Sequence, residues 1–296
     1  MKKKIICLLI IMISALYANT YIVNPNGLED FESIVEGVNY LMNNQIDGKL
    51  IVTPGTYYGS VTWNTDISHI SIQGYNKNYC FVQGSFQVYG TSNEETDYIK
   101  NLTFLNTSNP ICNNDNGLYL VQNCRFTNCS GNVIINNSSL RLIENIFYSN
   151  DCTTIIHSDL QNQLPSQAYL LIKKNTFDNN TTIGPVVNVD GMGSLFIKEN
   201  YFTNNEYEYN LGNWGDGSMI NITASNEITT GDIHRNTFFI NEDSYLCDAM
   251  LYIDNSYSSA VFSINGNSFL ESISNSAIKY ISNQVSLQTQ YFHQIH

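Results

Sequence analysis

Asn145-Ile146-Phe147-Tyr148-Ser149-Asn150 decides the reading of this chain, because it recurs. It returns as Asn175-Thr176-Phe177-Asp178-Asn179-Asn180, as Asn200-Tyr201-Phe202-Thr203-Asn204-Asn205 and as Asn236-Thr237-Phe238-Phe239-Ile240-Asn241. Asn267-Ser268-Phe269 is a degraded fifth copy, and Phe104 and Phe126 head weaker ones upstream. The successive phenylalanine spacings from Phe104 are 22, 21, 30, 25, 36 and 31 residues. A floor near 21 with variable excess describes a constant unit that carries insertions, the mark of a solenoid.

On either side of the motif lie short apolar runs. Leu140 to Glu144, Tyr169 to Lys174 and Leu195 to Glu199 precede it; Val133 to Asn136, Ile155 to His157, Val186 to Asp190, Met219 to Thr223, Met250 to Asp254 and Ile278 to Ser282 form a second series. Rich in Ile, Val and Leu, and separated by Asn, Ser, Gly and Asp, they are strands and turns too short for helices. Several such strands per period predict an all-β chain, a right-handed parallel β-helix. Stacking coils about 4.8 Å apart would turn Phe147, Phe177, Phe202, Phe238 and Phe269 into one interior aromatic column. Asn145, Asn175, Asn200, Asn236 and Asn267 become a ladder at a bend, where Asn tolerates left-handed backbone and its amide both donates and accepts. The composition agrees, with 42 Asn in 296 residues.

Charge narrows the partners. Thirteen basic residues face 26 acidic ones, a net of -13, which excludes nucleic acid as an expected partner because phosphate binding needs clustered Lys and Arg. Lys2, Lys3 and Lys4, the apolar run Ile5 to Leu16 and the small Ala18 form a secretory signal over residues 1–18. Leu16 is bulkier than usual for a cleavage site, which leaves a retained anchor as the alternative, although the run is shorter than the about 20 residues of a spanning helix. No later stretch approaches that length, so residues 19–296 are expected to form a single exported β-helix domain, secreted or at the cell surface. Without the three lysines its net charge is -16. Six cysteines remain, Cys80, Cys112, Cys124, Cys129, Cys152 and Cys247, and they allow fifteen disulfide pairings or a set of buried thiols.

Near the start, Phe31 to Leu41 has apolar residues at helical spacing, within a helix placed at about 29–44. Asp47-Gly48, then Leu50-Ile51-Val52-Thr53-Pro54-Gly55-Thr56-Tyr57, then Val61-Thr62-Trp63 and Ile70-Ser71-Ile72-Gln73-Gly74 follow. An amphipathic helix, I-V-x-P-G-x-Y and an apolar strand ending in Gly resemble the opening of the pectin-lyase-like superfamily, which includes pectate lyases, pectin methylesterases and polygalacturonases. That resemblance implies that the helix caps the open end of the cylinder. The F-x-x-N units Phe147 to Asn150, Phe177 to Asn180 and Phe202 to Asn205 are similar to repeats of polymorphic outer-membrane proteins, although the companion G-G-A-I motif is missing. Both likenesses speak to architecture, since such folds host many activities.

Candidate chemistry comes from the second strand series. Aligned, it gives one outward row of Asn136, His157, Asn188, Asn221, Tyr252 and Tyr280, and another of Asp159, Asp190, Thr223, Asp254 and Ser282. Asp159 and Asp190 would then project from adjacent coils beside His157 and Asn188. Such a carboxylate pair suits acid and base work on a glycosidic bond, or a calcium ion, or simply a solvated polar face. Asn188-Val189-Asp190 resembles the N-x-D element of polygalacturonases, without their following Asp-Asp, G-H-G and R-x-K motifs. The row Glu144, Lys174, Glu199, Arg235 alternates in sign and is expected to be a salt-bridge ladder. A loop from Glu206 to Gly217 breaks the repeat with Tyr207, Tyr209, Trp214 and Asp216, and protruding aromatics beside carboxylates suit sugar faces.

No complete catalytic set accompanies this architecture. The expected function is therefore non-catalytic recognition of a polysaccharide or other surface glycan through the lateral face and loops, with a polysaccharide lyase or glycoside hydrolase as the alternative. Tyr291 to His296 brings no obvious capping helix or sorting domain, so the last coil is expected either to self-associate end to end or to belong to a longer passenger.

Overall fold

A computed structural model describes residues 19–91, 97–115, 117–160, 169–191, 193–207, 218–225, 230–239, 249–257, 260–270, 276–282, 288–290 and 293–294. Every strand pairing among them is parallel, and the strands fall into an 11-, a 10-, a 9- and a 3-stranded sheet. The first sheet runs from Asn19–Val23 to Gln288–Gln290, the second from Gly55–Tyr58 to His293–Gln294, and the third from Val61–Asn64 to Ser276–Ser282. Each full coil passes through all three, as Leu140–Ile143, Ile146–Tyr148 and Thr154–Asp159 do, and the next coil repeats the order. The chain is a right-handed parallel β-helix, as the repeat predicts.

Helix α1, Ile34–Asn44, follows the first strand, Asn19–Val23, and precedes the full coils. Its Ser33 cap accepts a hydrogen bond from the Glu36 N–H at 3.1 Å, and Gln45 ends it in left-handed geometry. Ile34, Gly37, Val38 and Leu41 form its buried face, spaced three and four apart. Gly37 lies so close that a Cβ there would sit 3.0 Å from Leu50, so the smallest residue lets the helix settle on the strand Gly48–Val52.

The aromatic column is longer than the five residues expected. Phe104, Phe126, Phe147, Phe177, Phe202, Phe238 and Phe269 stack with centroids 4.5–5.0 Å apart and ring planes within 9°. All but Phe269 are fully buried. Six consecutive ring contacts at one strand spacing bind each coil to the next, beyond the area that they remove from water.

The corner between the first two sheets corrects one expectation. Asn145, Asn175, Asn200, Asn236 and Asn267 do form a ladder, each Nδ2 donating to the next Oδ1 at 2.9–3.1 Å. The left-handed residue, however, is the one before: Glu144, Lys174, Glu199 and Arg235 have φ between 55° and 59°. That residue turns the corner and so frees the Asn side chain to point inward, where it is buried. The expected salt-bridge ladder of those four residues is replaced by this shared backbone role. Among the described residues the Lys–carboxylate ion pair is Lys198–Asp232 at 2.7 Å, on the flat of the first sheet, and none joins the four.

A second ladder absorbs the Asn of the F-x-x-N units. Asn150 donates to Asn180 at 2.8 Å and Asn180 to Asn205 at 2.7 Å, behind left-handed Ser149, Asn179 and Asn204. Cys124 and Cys129 occupy the coil before each ladder, where their N–H groups donate to Asn145 and Asn150 at 2.9 Å. Cys80, Cys112, Cys124, Cys129 and Cys152 are free thiols. Burial pushes Cys124 and Cys152 up to about 12 and Cys129 up to about 11, so they pack as small apolar groups. Cys247 lies outside the described residues.

Candidate functional site

The third sheet carries the expected carboxylates in register. Asp159 is the Cα partner of Asp190, and His157 of Asn188, across the strands Thr154–Asp159 and Val187–Asp190. The rows continue through Asn221 and Thr223 to Tyr252 and Asp254. Inward neighbours fix which side faces out: Ile156, Val187, Val189, Ile220 and Ile222 are fully buried, so the alternate positions project outward.

Both ends of the expected rows are corrected by one residue. His157 pairs with Ile135 and not with Asn136, while Tyr252 and Asp254 pair with Lys279 and Ile281 and not with Tyr280 and Ser282. Asn136 is needed inside: it accepts from Asn113 at 2.9 Å and donates to Ser158 Oγ at 3.0 Å. Tyr280 pairs with buried Ile253, lies edge-on to Phe262 at 6.3 Å, and accepts from Asn255 at 3.0 Å. A shift of one residue moves a strand's side chains to the opposite face.

Asn188 organises the middle of the site. Its Nδ2 donates to Asp190 Oδ2 at 2.9 Å and lies 3.3 Å from His157 Nδ1, while its Oδ1 accepts from Asn221 Nδ2 at 2.7 Å. Asn221 Oδ1 is buried and has no hydrogen-bond partner among the described residues. Donors and acceptors therefore recur along the solenoid at the strand spacing. Among the described residues, no third His, Cys, Asp or Glu joins Asp159 and Asp190 in a group that could hold a metal ion. Tyr207 stands elsewhere, on the 3-stranded sheet beside Thr182. Tyr209, Trp214 and Asp216, and residues 161–168 of the other insertion, lie outside the described residues.

The first sheet carries a second surface. Lys100 Nζ lies 4.2 Å from the Tyr98 ring centroid and Lys49 Nζ 5.9 Å from it. The Arg141 guanidinium is 4.5 Å from the Tyr119 ring and 5.4 Å from that of Tyr169. Tyr169 packs on Phe196 at 5.3 Å, and Lys198 Nζ lies 4.5 Å over Phe196. Asp232 holds Lys198 at 2.7 Å and His234 at 3.2 Å. Partial burial works upward on the Asp232 carboxyl, but the hydrogen bonds and charge of Lys198 and His234 outweigh it and hold it below the ordinary aspartate range. The signal was present in the outward positions of Leu140-Arg141-Leu142, Tyr169 to Lys173 and Leu195 to Lys198, which alternate with the buried ones.

No helix among the described residues is long and apolar enough to cross a membrane. No protein-family model and no curated protein matches the chain. Among solved structures, it is similar to the enzymatically active domain of tailspike protein 4 of bacteriophage CBA120, with a TM-score of 0.44 and 14% identity over 90% of this chain and 43% of that one. It is also similar to a protein of Geobacillus virus E2, with a TM-score of 0.30 and 12% identity over 93% of this chain and 63% of that one. The chain thus spans less than two thirds of either structure.

Proposed function

We propose that this is an exported, non-catalytic β-helix protein that binds a glycan or another cell-surface component through the outward face of the third sheet and the loops beside it. The observation that carries this reading is the rung-matched row of His157, Asn188, Asn221 and Tyr252 beside Asp159 and Asp190. A linear polymer of repeating hydroxyl groups is the ligand that a linear array of carboxylates and amides suits best. Export rests on residues 1–18, and membership of the pectin-lyase-like superfamily on the helix and the I-V-x-P-G-x-Y motif. The binding loop at Glu206 to Gly217 and self-association through the last coil complete the proposal.

Glycan-array binding by the secreted protein, with and without millimolar calcium, tests it. Binding that falls in Asn188→Ala and Asn221→Ala supports the reading; an array on which nothing binds in either condition overturns its glycan form. The second reading, a carbohydrate-active enzyme, is favoured by the direct pairing of Asp159 with Asp190. Turnover of polysaccharides that disappears in Asp159→Ala/Asp190→Ala would establish it, whereas turnover that persists in that variant would remove this site from consideration.

A further inference from the structure

The charge of this acidic chain is unevenly distributed, and the first sheet holds the exception. Its strands carry Lys49, Lys100, Arg141, Lys173 and Lys198 against one carboxylate, Asp232. The strands of the other three sheets carry Arg125 and Lys279 against Asp151, Asp159, Asp178, Asp190, Glu206 and Asp254. In a chain with twice as many acids as bases, one lateral face is therefore locally basic.

The cations on this face stand on aromatic and aliphatic supports. Register places Tyr98, Leu120, Arg141, Leu171 and Phe196 in a single outward row over five successive strands, with Lys100, Lys173 and Lys198 in the next row. Tyr98 and Phe196 each lie beneath a lysine, and Arg141 lies between Tyr119 and Tyr169. Among the described residues Lys49, Lys100, Arg141 and Lys173 form no ion pair.

We propose that this face is a binding surface for an acidic polysaccharide, distinct from the third-sheet site. Sugar rings present apolar faces that suit Tyr98, Tyr169 and Phe196, and their carboxylates or sulfates would meet Lys100, Arg141 and Lys173. Spacing selects the polymer. Lys49, Lys100 and Arg141 lie on every second strand, about 10 Å apart at the β spacing, and Lys173 stands on the strand after Arg141, about 5 Å further on. A nucleic-acid strand carries a charge about every 3.4 Å, denser than this array, and would also face the repulsion of the remaining acidic surface. A polymer in which a sugar acid alternates with a neutral sugar has the lower charge density that the array fits.

The test is titration calorimetry of the secreted protein with hyaluronate, an alternating polymer of this kind, and with dextran and single-stranded oligothymidine as the neutral and nucleic-acid probes. Hyaluronate should bind, more weakly as salt rises, and dextran and oligothymidine should not. Lys100→Gln/Arg141→Gln/Lys173→Gln should weaken binding about tenfold or more, as should Phe196→Ala, with unchanged circular dichroism. Because the two variants remove charge and stacking separately, loss of fold in one leaves the other as a test. Asn188→Ala/Asn221→Ala should leave this binding intact, which separates its failure from failure of the third-sheet reading. Absence of hyaluronate binding, equal binding by folded variants, or tighter binding of oligothymidine would overturn the proposal.

Discussion

Asn175 and Asn200 share one oxygen: Asn200 Oδ1 accepts from the Asn175 backbone N–H at 2.9 Å and from its Nδ2 at 3.1 Å. Asn175 Oδ1 serves Asn145 in the same way. Asn175→Ala therefore strands two buried donors on Asn145, and a loss of about 2–5 kcal/mol is expected from the cost of unmade buried hydrogen bonds. Urea unfolding measures it; a loss below about 1 kcal/mol would show that water replaces the rung.

Phe202 lies 4.5 Å from Phe177 and 4.9 Å from Phe238. Phe202→Ala should cost about 3–5 kcal/mol through the cavity that it opens, and Phe202→Leu less than half of that. Because coils contact only their neighbours, hydrogen exchange should rise first in the strands on either side of Phe202.

The left-handed φ of 56° at Lys174 makes shape matter more than charge there. Lys174→Val should lose about 1–2 kcal/mol, since a β-branched side chain opposes that backbone. Lys174→Asn should match or exceed the parent in melting temperature at both low and high salt. A deficit of Lys174→Asn that appears only at low salt would restore the charge-ladder explanation.

Asp97 is fully buried, with Oδ2 2.8 Å from His69 Nδ1 and Oδ1 accepting from the Ile70 N–H at 3.0 Å. Burial pushes its carboxyl up to about 6, against the opposing effect of His69 and Ile70, and Asp47 nearby adds to the rise. The folded state thus binds this proton more tightly than the unfolded chain. Its contribution to stability is complete below about pH 4 and is lost as pH rises through about 6. Relative to the parent, Asp97→Asn should gain up to roughly 3 kcal/mol between about pH 4 and pH 7. Parallel unfolding curves at those two pH values check this; a constant difference would show that the group does not titrate in the folded protein.

Much of this was legible in the sequence because a repeat reports on itself. Phe147, Phe177 and Phe202 announced a column, and the equal position of Asp159 and Asp190 within their runs put them in register. Illegible features were those in which one residue type serves two geometries. Asn101 and Asn123 turn the corner with left-handed backbone, whereas Asn145 and its successors sit one place later and point inward. Asn136 ends a run in which Val133 and Ile134 are both buried, so apolar alternation could not say which side it faced. The basic face stayed hidden because its lysines are scattered along the chain and converge only when every coil contributes one strand.

The Asn ladder also has a direction. From Asn145 to Asn236 each Nδ2 donates to the Asn Oδ1 of the later coil as well as to a backbone carbonyl of the earlier one, while each Oδ1 accepts only from the earlier coil, beginning with the Cys124 N–H. A duplicated coil placed anywhere within that run would present an acceptor to the coil behind it and a donor to the coil ahead. The protein can therefore lengthen by internal duplication without inventing a new joint, and the coil, rather than the residue, becomes its unit of variation.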